Sequence, residues 1–148
     1  MDKKTQGYIT LCMSHDQEQV KQAALLAKTI KLQDPEREIC VVVSSLDLFP
    51  QEYTHLFDYM VELPYGVYDA SDPPGVNIWQ LYYCTPFDMN LYIDKQSILL
   101  DDISGIWANL VKQNLVFPSS VYNFKNEQKQ EFLNYFKTNE KNNFPKYF

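Results

Sequence analysis

Two apolar runs separated by one amphipathic segment most constrain how this chain folds. The runs are GYITLCM (7–13) and REICVVVSS (37–45). Near-continuous apolar strands of this kind are typical of a parallel sheet that is covered on both faces. Between the runs, apolar side chains recur at three- and four-residue spacing, as in a helix with one buried face. These residues are Val20, Ala23, Ala24, Ala27 and Ile30. The pattern therefore predicts a β-α-β unit.

The same alternation continues along the chain. QEYTHLF (51–57) predicts a brief helix and YMVELPY (59–65) a third strand. NIWQLYYCTPFD (77–88) predicts a short helix, and a fourth strand follows at 91–93. Such alternation predicts an α/β fold, a three-layer sandwich with a mostly parallel sheet. Ligands of open sheets of this kind bind beyond the carboxyl ends of the strands.

The last third of the chain is less regular. LVFPSSVYNF (115–124) predicts an extended segment that Pro118 interrupts, and a charged helix is expected from Asn126 to about Glu140. Its apolar stripe contains Phe132, Leu133, Tyr135 and Phe136. We expect a single domain over residues 1–148, because a chain of 148 residues with 45% hydrophobic content has enough apolar side chains for one substantial core.

Charge and hydropathy exclude two classes of function. The formal net charge of −6 argues against a nucleic-acid-binding protein, because phosphate recognition needs an excess of Lys and Arg on some face. No segment approaches the roughly 20 apolar residues that span a bilayer, and the start of the chain lacks the apolar region of a signal peptide. We therefore expect a cytoplasmic protein without a membrane partner.

The three cysteines predict buried, reduced thiols. Cys12, Cys40 and Cys84 each lie in an apolar segment, and no two of them have Cys-x-x-Cys spacing. In such segments cysteine behaves as a small hydrophobic residue. A catalytic or metal-binding role for these side chains is therefore not expected.

The junction MSHDQEQ (13–19) predicts a helix start directly after the first strand. Ser14 and Gln17 have the spacing of a capping box, in which a serine hydroxyl bonds the first turn of a helix. The backbone N–H groups of such a helix start also bind anions. The capping role is sufficient to explain Ser14, and the anion-binding role stays open beside it.

Two tryptophans raise a similar choice. Trp79 and Trp107 lie at helical spacing among apolar residues. That pattern favours burial in the core over stacking against a sugar ring. The high aromatic content, 15% of the chain, also agrees with an aromatic core and an exposed apolar surface.

Several segments together resemble the nucleotide-diphospho-sugar glycosyltransferases of the GT-A fold, especially the glycogenin-like family and its phage relatives. They are GYITLCM with AALLAKTIK, NIWQLYYCTPFDMNLYID, LLDDISGIW and FPSSVYNFKNE. The most specific part is the run TPFD, LYID and DDIS, because its spacing covers a helix end, a strand and the next helix start. The resemblance implies a GT-A-like α/β fold that binds a nucleotide-sugar, with a UDP-sugar as the expected class, and an acceptor whose identity it leaves open.

In that family an Asp-x-Asp motif holds Mn²⁺ or Mg²⁺ against the diphosphate, where the cation stabilises the leaving group. The motif falls on Asp94 and Gln96 here, with Lys95 between them. The resemblance therefore implies a nucleotide-sugar site formed by Ser14, Asp94, Lys95 and Gln96, and a weak metal site at Asp94 and Gln96. Lys95 is an alternative partner for the diphosphate in place of the metal. No catalytic residue is assigned.

The resemblance implies that the chain is the donor-binding half of such an enzyme, ending at NNFPKYF before the family's acceptor half. Three functions remain open: an active glycosyltransferase that transfers a hexose, a nucleotide-sugar-binding domain without turnover, and a structural or interaction module. Without the later strands of the family, a sheet edge and an apolar face are expected to lack their usual cover. Two covers are open: the C-terminal helix around Phe132 to Phe136 folding back, or a second chain in a homo-oligomer. The aromatic tail residues Phe144, Tyr147 and Phe148 favour the homo-oligomer.

Overall fold

The computed structural model describes residues 5–67 and 77–110, and all of them belong to one compact unit that spans residues 1–114. The predicted extended segment at 115–124, the predicted helix from Asn126 and the aromatic tail lie outside the described residues. The homo-oligomer expected through that tail therefore stays a prediction.

Strands and helices alternate along the described chain. In order they are β1 (Gln6–Cys12), α1 (Gln17–Gln33), β2 (Glu38–Val43), a 3-10 helix (Gln51–Leu56), β3 (Tyr59–Glu62), a second 3-10 helix (Ile78–Gln80) that continues into α2 (Leu81–Cys84), β4 (Met89–Tyr92) and α3 (Gly105–Leu110). The four strands occur where the apolar runs predict them. The short helix predicted within 77–88 was expected to end before Pro86, and it does: α2 ends at Cys84 and Thr85 is extended, because a residue before proline disfavours the helical conformation.

The four strands form one parallel sheet in the order β3-β2-β1-β4. β1 is central, since Tyr8 pairs with Ile39 of β2 on one side and with Leu91 of β4 on the other. The predicted α/β class with a parallel sheet is confirmed.

Apolar side chains pack on both faces of this sheet. Tyr8, Val41 and Val43 face the buried side of α1, and Trp107 of α3 belongs to the same cluster. The alternate residues of the strands point the other way, toward Leu63, Leu81 of α2 and Phe87. Continuous apolar runs are therefore required in β1 and β2, which bury both of their faces, whereas the outer strands β3 and β4 are only partly buried.

One buried polar contact connects β1 to the end of α1. The Tyr8 hydroxyl donates to Asp34 Oδ2 at 2.8 Å, and burial raises the pKa of Tyr8. The guanidinium of Arg37 lies 5.3 Å from the centre of the Trp107 ring. The Tyr8–Asp34 hydrogen bond lies where α1 ends, away from the edge of the sheet at which the strands end. Within the described ranges, none of the helices has both the length and the apolar character needed to cross a bilayer.

Candidate functional site

The ends of β1 and β4 lie side by side where the strand order reverses. From β1 the chain moves outward through β2 to β3, and it then returns to β4 on the other side of β1. The crevice at such a reversal is the usual ligand site of an open parallel sheet. Ser14 follows β1, and Asp94, Lys95 and Gln96 follow β4. The fold therefore brings all four sequence-predicted residues to the ends of neighbouring strands.

Asp94 stabilises the turn that ends β4. Its Oδ1 accepts a hydrogen bond from the backbone N–H of Gln96 at 2.9 Å, and its Oδ2 accepts one from the Tyr92 hydroxyl at 3.3 Å. The Ser97 N–H donates to the Asp94 carbonyl oxygen at 2.9 Å. Aspartate commonly stabilises turns in this way. Burial, followed by the nearby Asp94 carboxylate, raises the pKa of Tyr92 to about 12, so Tyr92 remains a hydrogen-bond donor at neutral pH.

Asp94 and Gln96 fit a divalent cation poorly. Hard cations such as Mg²⁺ and Mn²⁺ prefer charged oxygen ligands, and Gln96 offers only a neutral amide. Both oxygens of the Asp94 carboxylate already accept hydrogen bonds. Among the residues that the structure describes, no group of three His, Cys, Asp or Glu side chains could hold a metal ion together. The pair would therefore give at most the weak site expected from the sequence.

Lys95 lies three residues after the end of β4, on the side of the sheet where β4 neighbours β1. Burial raises the pKa of Cys12, the last residue of β1, to about 12, and the positive charge of Lys95 opposes that rise. The ammonium group therefore acts on the end of β1 although Lys95 follows β4. It is half-buried, and no carboxylate in the described part of the chain lies within ion-pair distance of it.

Ser14 does not cap α1, so the predicted capping box of Ser14 and Gln17 is wrong. Ser14 is buried, and its N–H donates to Ser44 Oγ at 2.9 Å. Its own hydroxyl lies 2.9 Å from Ser44 Oγ and accepts from the Ser45 N–H at 2.9 Å. Ser14 therefore connects the loops that follow β1 and β2.

Asp16 is the true cap of α1. Its Oδ1 accepts hydrogen bonds from the N–H groups of Glu18 at 2.9 Å and Gln19 at 3.2 Å. The Gln19 side chain donates to Asp16 Oδ2 at 3.1 Å and accepts from the Met13 N–H at 3.2 Å. The cap of this helix is therefore Asp16, two residues later than predicted, and it is not a reciprocal capping box, because the Asp16 N–H donates to the Met13 carbonyl oxygen and not to the Gln19 side chain. The open role of Ser14 in anion binding is correspondingly weakened, because its hydroxyl and its N–H are both engaged.

The core prediction is right for Trp107 and wrong for Trp79. Trp107 is buried against Tyr8, whereas Trp79 is 46% exposed. Gln80, not Trp79, is the buried residue of the second 3-10 helix. Trp79 instead contacts the rings of Tyr65 and Tyr83 at the surface. The aromatic residues at 79, 82 and 83 are the sequence feature that could have predicted this exposed group. The same spacing is also typical of the buried face of a helix, so the sequence alone does not distinguish the two.

A shallow groove lies between α1 and the first 3-10 helix. Its lining residues are Gln17, Val20, Lys21, Pro50, Gln51, Glu52 and Tyr53. None of the sequence-predicted site residues lines it. The groove follows β1 and β2, whereas the reversal of strand order lies between β1 and β4, so we place the candidate site at the reversal.

The three cysteines are unpaired thiols in apolar surroundings. Cys12 and Cys40 are fully buried and Cys84 is half-buried, and none of them forms a disulfide. Burial raises the pKa of the Cys40 thiol to about 12, and it also raises that of Cys84. The expectation of reduced thiols agrees with this environment, because a thiol with a raised pKa is a poor nucleophile and a poor metal ligand.

Comparison with known proteins assigns no family to the chain. No protein-family model matches the chain, and no curated protein matches it.

Proposed function

We propose that this chain binds a nucleotide-sugar, with a UDP-sugar as the expected class, in the crevice between the ends of β1 and β4. The observation that carries the proposal is the position of Lys95. It follows β4 at the reversal of strand order, and its charge acts on the end of β1. A lysine at this point is suited to a diphosphate, because lysine binds phosphate as a compact point charge.

The proposal does not depend on a metal ion. Lys95 supplies a positive charge where the GT-A family uses a cation, and Asp94 stabilises the turn that presents it. The exposed edge beside Lys95 also offers the amide of Gln96, which can both donate and accept hydrogen bonds. Binding of the diphosphate is therefore expected to persist when divalent cations are removed.

Calorimetry with UDP-glucose and GDP-mannose, in EDTA and then in Mn²⁺, tests the proposal. We expect UDP-glucose to bind in EDTA, and Lys95→Ala to weaken the binding roughly tenfold or more, since it removes the positive charge proposed to pair with the diphosphate. Lys95→Arg should keep most of the affinity. Lys28→Ala, which removes an exposed lysine of α1, serves as the matched control. Equal affinity of the native chain and Lys95→Ala would remove the basis for this site.

Binding without turnover is the second candidate, and Gln96 is the observation that favours it. A neutral amide binds a divalent cation more weakly than the second carboxylate of the family does. The departing diphosphate is therefore stabilised less by a metal ion. Release of UDP from UDP-glucose, measured on the native chain in Mn²⁺, separates the two candidates. Steady release indicates a transferase or hydrolase, whereas binding without release indicates a nucleotide-sugar-binding module. Absence of both binding and release leaves the structural or interaction module.

A further inference from the structure

Four exposed aliphatic side chains lie on the outer side of α1 and on the segment beside it, and we call them the aliphatic patch. Leu25 and Leu32 belong to the helix and are 53% and 78% exposed. Ile98 and Leu100 belong to the segment that follows β4 and are 49% and 71% exposed. Single exposed apolar residues are common, but a contiguous group of them marks an interaction site.

Two hydrogen bonds hold the segment after β4 against α1. The Leu99 N–H donates to Thr29 Oγ1 at 3.0 Å, and Gln33 Nε2 donates to the Leu100 carbonyl oxygen at 3.4 Å. Thr29 lies four residues after one patch leucine of α1 and three residues before the other, so it shares a helix face with both. Leu99 is buried in the core, whereas its two neighbours in sequence are exposed. The four aliphatic side chains therefore form one surface.

Packing of α1 on the sheet does not explain the two patch leucines. The helix already has a complete apolar inner face without them. The buried residues of that face are Val20, Ala23, Ala24, Leu26, Ala27 and Ile30. Leucine on the outer side of a helix adds nothing to the core and leaves apolar surface in water. A contact outside this unit of the chain is the physical reason for such side chains.

Charged side chains of both signs border the patch. Lys21 and Lys28 lie one helical turn before and after Leu25, and we call them the basic border. Asp101 and Asp102, which follow the patch directly in sequence, are the acidic border. All four charged side chains are exposed, and neither lysine has an ion-pair partner in the described part of the chain. A surface with one border of each sign is complementary to a second copy of itself, because residue i meets j and j meets i across a two-fold axis.

We propose that the aliphatic patch is the contact surface of a two-fold homodimer, in which the basic border of one copy faces the acidic border of the other. α1 has 17 residues and is therefore about 25 Å long, and the segment beside it widens the face. Such a face is large enough for the roughly 500–800 Å² per partner that small specific interfaces bury.

A membrane surface fits this face less well. A helix with leucine and lysine on one side is also typical of proteins that lie on anionic lipid. The acidic border and the formal net charge of −6 oppose such binding, since anionic lipid repels both. The dimer does not rest on the proposed function, because the patch contains none of the residues of the crevice beside Lys95.

Sedimentation equilibrium of the full chain, from about 1 µM to about 1 mM, tests the proposal, because small interfaces give weak dimers. We expect a monomer–dimer equilibrium. Leu32→Glu should weaken the association roughly tenfold or more, since it places a carboxylate within the apolar contact. Tyr82→Glu is the matched control, because it changes an 82% exposed side chain of α2, the helix that packs on the other face of the sheet. Both side chains are largely exposed, so neither change removes a core contact, and thermal unfolding by circular dichroism confirms that each variant is folded.

Exchange of the border charges tests the two-fold arrangement. Lys21→Glu combined with Lys28→Glu makes the basic border acidic, and Asp101→Lys adds a positive charge to the acidic border. Asp102 is kept, because its carboxylate accepts hydrogen bonds from the N–H and the hydroxyl of Ser104. Each variant alone should associate more weakly than the native chain, since like charges then face each other. An equimolar mixture of the two variants should recover the association, because opposite charges meet again at both borders.

Several results would overturn the proposal. A chain that stays monomeric up to about 1 mM overturns it, since even small interfaces associate in this range. Self-association that Leu32→Glu leaves unchanged does so too, and so does a mixture that associates no better than either charge variant alone. Loss of the dimer in Tyr82→Glu would assign the contact to the other face of the sheet. Loss only when Phe144, Tyr147 and Phe148 are changed to Ser would assign it to the tail. A monomer that binds phosphatidylcholine–phosphatidylserine vesicles, and no longer does so as Leu32→Glu, would assign the patch to a membrane surface.

Discussion

The hydroxyl oxygens of Ser14 and Ser44 lie 2.9 Å apart and connect the loops that leave β1 and β2. The connection is reinforced by two backbone N–H groups, that of Ser14 to Ser44 Oγ and that of Ser45 to Ser14 Oγ, each at 2.9 Å. One serine pair therefore satisfies the polar groups of the loops that leave two neighbouring strands.

Ser14→Ala is expected to destabilise the fold by about 0.5–1.5 kcal/mol, because it removes the acceptor of the half-buried Ser45 N–H. Urea unfolding measures the change. Ser97→Ala is the control, since the half-buried Ser97 hydroxyl has no hydrogen-bond partner among the described residues. If Ser14→Ala keeps its stability but loses UDP-glucose binding, Ser14 contacts the ligand directly and its structural role is smaller than we infer.

Gln96→Asp is expected to increase affinity for Mn²⁺ roughly tenfold or more, because a second charged oxygen replaces a neutral amide. Calorimetry in the absence of nucleotide measures the gain. Gln96→Asn has the shape of the aspartate variant without its charge, and it should show no gain. Equal Mn²⁺ affinities for the two variants would mean that the geometry beside Asp94 does not accept a cation.

Gly7→Ala is expected to destabilise the fold by about 1–3 kcal/mol through overpacking. A Cβ at this position would lie 2.3 Å from the Phe87 ring, and Phe87 is buried against the sheet. Gly105→Ala is the matched control, because among the described residues no atom beyond its own stretch of helix lies within 4 Å of the added Cβ, and a helical alanine should stabilise by about 0.4–1 kcal/mol. Thermal and urea unfolding of both variants give the comparison. A stable Gly7→Ala protein would show that Phe87 moves aside at little cost.

The stability contributed by Asp16 is expected to depend on pH. The hydrogen bond from the Gln19 N–H, with smaller contributions from the Gln19 side chain, the Glu18 N–H and the charge of His15, lowers the pKa of Asp16 below its ordinary value of 3.8. A lowered pKa stabilises the folded state above the ordinary value, and that contribution is lost as the pH falls through the lowered one. Asp16→Ala should therefore reduce the melting temperature at neutral pH by about 2–5 °C, and the difference should shrink in acid.

Asp16→Asn is the control for the same experiment, because asparagine caps helices comparably but does not titrate. Its melting temperature at neutral pH should lie close to that of the native chain. A difference between Asp16→Ala and the native chain that is independent of pH would show that the charge of the cap contributes nothing.

Much of the fold follows from local pattern. The apolar runs at 7–13 and 37–45 predict β1 and β2 to within two residues, because a strand buried on both faces tolerates few polar side chains. The amphipathic spacing between them predicts α1, and the alternation of strands and helices predicts a parallel sheet. The strand order then places Asp94, Lys95 and Gln96 beside the end of β1, as the predicted carboxyl-edge site requires.

Two misplaced side chains show where local pattern stops. Ser14 and Asp16 are both good helix caps, and the choice between them depends on Ser44, which is 30 residues away in sequence and adjacent in space. Of the neighbours Trp79 and Gln80, only Gln80 is buried, because its side-chain amide hydrogen-bonds the backbone N–H of Tyr65 and the carbonyl oxygen of Gly66. Sequence alone determined the elements of this protein, because hydrophobic periodicity is a local property. Tertiary structure decided that Ser14 bonds Ser44, that Gln80 is buried while Trp79 is exposed, and that Lys95 lies beside the end of β1. A buried polar group requires a hydrogen-bond partner, and only the assembled sheet brings such partners together.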